Sequence, residues 1–135
     1  MDLSEINVPE TAEIHIEHPT IGKLYADDDR KKPMVIEVFG PASDEAVKQR
    51  RKATRNAQQL IAKRGVKGLA SRSPEDSEED DIQRLIALTS SVKNLKYKGK
   101  VVDLNSIEDL YRDPKMGWIV DQVKEKLSGW EDFLA

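Results

Sequence analysis

Residues 34–51 read MVIEVFGPASDEAVKQRR, and the chain changes character inside them. Met34 to Phe39 is β-branched and aromatic, with Pro33 before it and Gly40–Pro41 after it. That is the composition and punctuation of a strand. Ser43 then offers an N-cap hydroxyl, and Asp44 and Glu45 place negative charge in the first turn of a helix, where the dipole favours it. The switch from strand to helix at 40–43 divides the chain into a β part and a helical part.

Working back from the switch, Thr11 to His18 alternates: Ala12, Ile14 and Ile16 point one way, Glu13, His15 and Glu17 the other. Period two predicts a half-buried strand, ended by Pro19. Ile21 to Lys32 holds Gly22 and a charge cluster from Asp27 to Lys32, which predicts the loop of a long hairpin with a short strand at Lys23–Tyr25. Residues 1–10 are polar and predict a loose arm.

Working forward, helix formers run from Ser43 to Arg64, with an apolar stripe of Ala46, Ala53, Ala57, Leu60 and Ile61. Small residues bury little area, so this helix needs neighbours or a partner. Gly65, Gly68 and Pro74 mark a break, followed by the acidic run Glu75–Asp81. A second helix is expected from about Glu79 to Leu95, with Ile82, Leu85, Ile86, Thr89 and Val92 on one face. Lys98–Gly99 reads as the turn of a tiny hairpin over Tyr97–Val102. Ser106 with Asp109 resembles a capping box. Asp113–Pro114 opens a last helix carrying Met116, Ile119, Val120, Val123 and Leu127, with Trp118 beside them. Gly129 ends it or bends it, and Trp130, Phe133 and Leu134 concentrate apolar area in the tail, either docked on the core or offered to another chain.

The expected class is therefore α+β: a small N-terminal antiparallel hairpin or sheet followed by three to four helices in an irregular bundle. After the arm at 1–10, residues 11–135 form a single domain, β over 11–40 and mainly helical over 43–135. With 135 residues the chain has room for one modest core. No window approaches the roughly 20 apolar residues of a membrane span. The absence of cysteine excludes a disulfide scaffold and thiolate metal sites. No signal peptide opens the chain, which predicts a cytoplasmic protein.

The motifs of catalysis are missing. His15 and His18 would face opposite sides of a strand and read as surface or loop histidines, with no metal or cofactor expected. There is no phosphate-binding or dinucleotide glycine pattern and no H-E-x-x-H. The sharpest feature is charge segregation. Lys48, Arg50, Arg51, Lys52, Arg55, Lys63, Arg64, Lys67 and Arg72 fall in 25 residues without an acid, and Pro74–Asp81 then carries six acids. One reading is a nucleic-acid footprint. The favoured reading is a basic helix neutralised by the acids that follow, or turned to a protein partner. The net charge is −3, and the segment has neither aromatics for stacking nor helix-turn-helix spacing.

The run YRDPKMGWIVDQVKEKL, closing on WEDFLA, is similar to the C-terminal third of the tail assembly chaperones of long-tailed bacteriophages and prophages. The shared points are the Asp–Pro helix start, Trp118 four residues after Pro114, Ile119, the Gln122–Val123 pair and the Phe133–Leu134 ending. MVIEVFGPASDEAVKQRRKATRN resembles that family's opening strand and long basic helix, and DIQRLIALTSSVKNLKYKGKVVDLNSIEDLY resembles its middle helix and connection. The chain departs where the family places a Trp after the middle helix; Leu95 and Tyr97 stand there instead. The resemblance covers about residues 10–135.

The resemblance implies a non-enzymatic protein that binds the tape-measure protein and delivers it to tail-tube subunits. It would work in the bacterial cytoplasm and be absent from the mature virion. It requires no membrane, and the oligomeric state stays open, a homo-oligomer included. The expected partner surface is Trp118, Val123, Leu127, Trp130 and Phe133, with Leu85, Ile86 and Val92; for each, membership of the core is the competing reading. Two other functions stand beside this one: a nucleic-acid-binding accessory protein using the basic segment 48–72, and a structural head–tail or tail component.

Overall fold

The computed structural model describes residues 1–70, 73–129 and 133, with the backbone alone at 66 and 68–70. Its centre is the strand Val35–Phe39 (β4). Among the described residues the main sheet has three antiparallel strands, with β4 between Thr11–His15 (β1) and Thr89–Lys93 (β5). The register sets Ile14 opposite Ile36 and Ile36 opposite Val92, so one row of branched side chains crosses the sheet. On β1 and β4 the like charges Glu13 and Glu37 are directly opposed, which is unfavourable unless each finds relief. Glu13 lies 3.4 Å from the Lys93 ammonium. Glu37 accepts a 2.6 Å hydrogen bond from the Ser90 hydroxyl.

The expected long hairpin between β1 and β4 is present. Its tip is a small ladder of Glu17–His18 (β2) with Gly22–Lys23 (β3), so the short strand begins one residue before the expected Lys23. Gly22 takes φ 91° in the tight turn, a conformation glycine adopts without penalty. Tyr25 makes a single bridge to Pro33. In the N-terminal ten residues, Asp2 caps a 3₁₀ turn at Leu3–Glu5 and Val8 packs against the core, while Leu3 and Ile6 remain exposed.

Helix α1 spans Asp44–Ala70. Ser43 caps it as the sequence predicts: its buried hydroxyl accepts from the Ala46 N–H at 3.2 Å and donates to the Gly40 carbonyl at 2.6 Å. The expected break at Gly65 is a kink within the helix (φ 71°, ψ −176°), which runs on to Ala70.

Helix α2 spans Pro74–Leu88 and departs from expectation at both ends. It starts five residues before Glu79, because Ser73 caps the Asp76 N–H and Pro74 takes the first helical position. It stops at Leu88, well short of Leu95. Thr89–Lys93 instead completes the main sheet, with a register shift between Glu37 and Val38. A free edge on β4 and a Thr–Ser–Ser–Val run outweigh the helical spacing of Thr89 and Val92. The residues after 43 are thus less purely helical than expected.

Lys96–Tyr97 (β6) and Lys100–Val101 (β7) form the tiny hairpin read from Lys98–Gly99, both turn residues having positive φ. Helix α3 spans Ile107–Arg112. The expected capping box at Ser106 does not form. Asp103 takes that work, accepting from the N–H groups of Asn105 and Ser106, while the Ser106 hydroxyl turns back to the Asp103 N–H. Asp113 and Pro114 open a 3₁₀ turn at Pro114–Met116 that leads into Gly117–Leu127 (α4).

Helix α4 packs on β1 and β4 with Ile119, Val120 and Val123 buried. The core continues through Leu85, Leu95, Val102, Ile107, Leu110 and Tyr111, and includes Phe133. The chain is α+β, an N-terminal antiparallel sheet followed by helices. Among the described residues no helix is long and apolar enough to cross a membrane.

Candidate functional site

Of the residues expected to meet a partner, those described fall into one hydrophobic cluster, but not onto one surface. Leu85, Val123 and Phe133 are completely buried. Helical spacing explains two of them: Val123 lies four residues after Ile119 on the sheet-facing side of α4, and Leu85 faces inward from α2. Phe133 seats its ring against Gly40, where an added β-carbon would come within 2.7 Å of the ring. In this fold these three are core. Ile86, Val92, Trp118 and Leu127 are half-buried against the same core. Val92 does so from β5, not from the helix expected to carry it. Trp130 and Leu134 lie outside the described residues.

Trp118 and Leu127 open onto different clefts. Trp118 sits with Pro19, Ile21, Asp121 and Gln122 beside the β2–β3 turn. The His18 ring meets it edge-on at 5.2 Å. Ile21, 72% exposed, adds apolar area that periodicity did not single out, because it sits in a turn. Both histidines have structural tasks. His15 Nε2 lies 2.8 Å from the Leu24 carbonyl, and His18 Nδ1 accepts from the N–H groups of Thr20 and Ile21. Among the described residues no group of three His, Asp or Glu side chains converges as a metal-ligand set.

Leu127 lines a cleft of about 310 Å³ with Pro41, Ala46, Ala53, Leu88 and Gly129. A longer groove of about 640 Å³ lies between α1 and α2, lined by Ala53, Ala57 and Leu60 on one side and Ser77, Asp80 and Asp81 on the other. The two adjoin, sharing Gln49, Ala53 and Arg84 in their linings, and together make up a furrow along α1. From Ala46 to Leu60 it follows about 21 Å of helix axis, some four turns. Ala46, Ala53 and Ala57 line it among longer polar side chains, Gln49, Lys52, Asn56 and Arg84 included. The alanines bury little area and leave room for another backbone.

The basic residues of α1 are placed as the sequence predicts, on the outside. Lys48, Arg50, Arg51, Lys52, Arg55, Lys63 and Arg64 are all exposed. Two acids of the run that follows pair elsewhere. Glu79 takes a bidentate pair with Arg112 of α3, at 2.6 and 2.8 Å. Asp81 lies 3.7 Å from Lys124 of α4. Glu79 and Asp81 thus tie α2 to the C-terminal helices. The Arg112 guanidinium, with help from Gln83, pulls the Glu79 carboxyl down to about 2. Arg50 donates to the Pro41 carbonyl at 2.9 Å and braces the start of α1.

No protein-family model, curated protein or solved structure matches the chain.

Proposed function

We propose that the chain is a non-enzymatic assembly chaperone of the long-tailed phage type. It seats an amphipathic helix of the tape-measure protein in the furrow between α1 and α2. It carries that protein to the tail-tube subunits in the bacterial cytoplasm and leaves before the virion matures. The observation that carries this reading is the furrow itself: about four helical turns long, with Ala46, Ala53, Ala57, Leu60, Leu88 and Leu127 in its lining and polar side chains such as Gln49, Lys52, Asp80 and Arg84 beside them. Helix-in-groove recognition needs that shape. The four helices then work as an irregular bundle with one side left open. The half-buried Trp118 and exposed Ile21 supply a second apolar contact, with a Trp suited to anchoring. A surface rich in both signs of charge keeps the loaded complex in solution.

The test is co-expression with the tape-measure protein of the same genome, scored by the fraction of that protein remaining soluble. Ala53→Trp and Ala57→Trp fill the furrow from positions that are not core, so the fold survives and rescue is lost. Rescue by both variants, or none by the wild type, overturns the reading.

A further inference from the structure

Helix α1 carries a second surface, a basic one that borders the furrow and shares Lys52 with its lining. Lys48, Arg51, Lys52 and Arg55 stand at i, i+3, i+4 and i+7, which places them on one helical face. Lys63 extends the row to about 22 Å of helix axis. All five are exposed. Among the described residues none of the five takes part in an ion pair, and the paired acids of α2 are engaged with Arg112 and Lys124.

We propose that this face docks on the phosphodiester backbone of double-stranded DNA, without reading its sequence. Three observations select that occupant. Stable protein interfaces centre on apolar or aromatic anchors and are depleted in lysine; the apolar Ala53, Ala57 and Leu60 of α1 line the furrow instead. Single strands are held by stacking on aromatic rings, and α1 contains none. Lysine, arginine and glutamine are phosphate-contacting side chains, and the exposed Gln58 and Gln59 complete that set. The net charge of −3 does not oppose docking locally, because residues 48–72 hold no acid at all.

The experiment is fluorescence anisotropy of the full chain with a labelled 20-base-pair duplex. Four to five phosphate contacts give a salt exponent of about −4, so raising salt from 50 to 200 mM weakens binding roughly 100- to 500-fold. The variant combining Lys48→Gln, Arg51→Gln, Lys52→Gln and Arg55→Gln keeps helix propensity and surface polarity. It is expected to melt as the wild type does and to bind at least 30-fold more weakly. A variant that binds as well as the wild type overturns the proposal, as does absence of binding at 50 mM salt. Poly-glutamate binding more tightly than the duplex at equal charge also overturns it and makes an acidic protein the partner. Because Lys52 also lines the furrow, the triple variant Lys48→Gln, Arg51→Gln and Arg55→Gln, which leaves the furrow lining intact, is measured beside it. It too is expected to bind the duplex more weakly than the wild type. The chaperone reading is scored by a different assay, so either can fail alone.

Discussion

Gln122 and Glu17 grip each other through both ends of one side-chain amide. The Glu17 N–H donates to Gln122 Oε1 at 2.9 Å, and Gln122 Nε2 donates to the Glu17 carbonyl at 2.8 Å. The side chain imitates a neighbouring strand and fastens α4 to the hairpin tip beside Trp118. The same Nε2 also reaches the Trp118 carbonyl at 3.0 Å, one turn back along α4.

Gln122→Ala removes that grip where water can still reach the freed groups. The expected cost is about 1 kcal/mol in urea unfolding. The sharper readout is amide hydrogen exchange: protection at Glu17 should fall while that at Ile36, in the middle of the sheet, stays unchanged. Gln122→Glu keeps the acceptor and loses the donor, so Glu17 protection should survive in part. Unchanged exchange at Glu17 in Gln122→Ala would remove the strand-mimic account.

Gly40 is small because Phe133 lies on it. A β-carbon there would fall 2.7 Å from one ring carbon and 3.0 Å from the next. The backbone at Gly40 also receives the Ser43 hydroxyl and donates its N–H to the Glu10 carbonyl, so it has little room to shift. Gly40→Ala should cost about 1–3 kcal/mol by overpacking. Phe133→Ala, which empties a wholly buried site, should cost about 3–5 kcal/mol. Combining Gly40→Ala with Phe133→Leu should cost less than the sum of the two single changes, as expected of residues in contact. Additive effects in thermal unfolding would show that the ring does not rest on Gly40.

Much of this arrangement is legible in the residues, and the gaps have physical causes. Val35–Phe39 declares itself because proline and glycine bracket it and its side chains suit both faces of a sheet. Asp113–Pro114 declares the 3₁₀ turn that leads into the last helix, because a first helical position tolerates a missing N–H. Thr89–Lys93 misleads because Thr89 and Val92 continue the spacing of Ile82, Leu85 and Ile86. The decision lies with the edge of β4, far away in sequence, and local pattern cannot see it. The same holds for the candidate site. Exposure of the basic side chains follows from charge alone, whereas the pairing of Glu79 with Arg112 depends on how α2 meets α3. The furrow is foreshadowed by the alanines of α1, but its second wall comes from α2, whose start was hidden in an acidic run.

Thr89 and Tyr111 share a buried polar contact. The Thr89 hydroxyl donates to the Leu85 carbonyl at 2.7 Å and lies 2.8 Å from the Tyr111 hydroxyl, with both residues buried. Since Thr89 has one proton and spends it on Leu85, Tyr111 is the donor of the second bond. Thr89→Val strands both the Leu85 carbonyl lone pair and the Tyr111 O–H and should cost about 1–3 kcal/mol, whereas Tyr111→Phe removes one partner and should cost about 1 kcal/mol. Burial pushes the Tyr111 phenol up to about 12. The native state therefore keeps a proton that the unfolded chain releases near pH 10. The stability this contributes is complete below pH 10 and is lost as pH rises toward about 12. Tyr97, raised to about 12 by its hydrogen bond to Asp113, adds a second alkaline slope. Subtracting the Tyr111→Phe unfolding profile from that of the wild type isolates the buried group. The difference should be flat from pH 7 to 9 and shrink above pH 10. A difference that stays constant to pH 12 would mean that Tyr111 ionises in the folded protein as it does in the open chain.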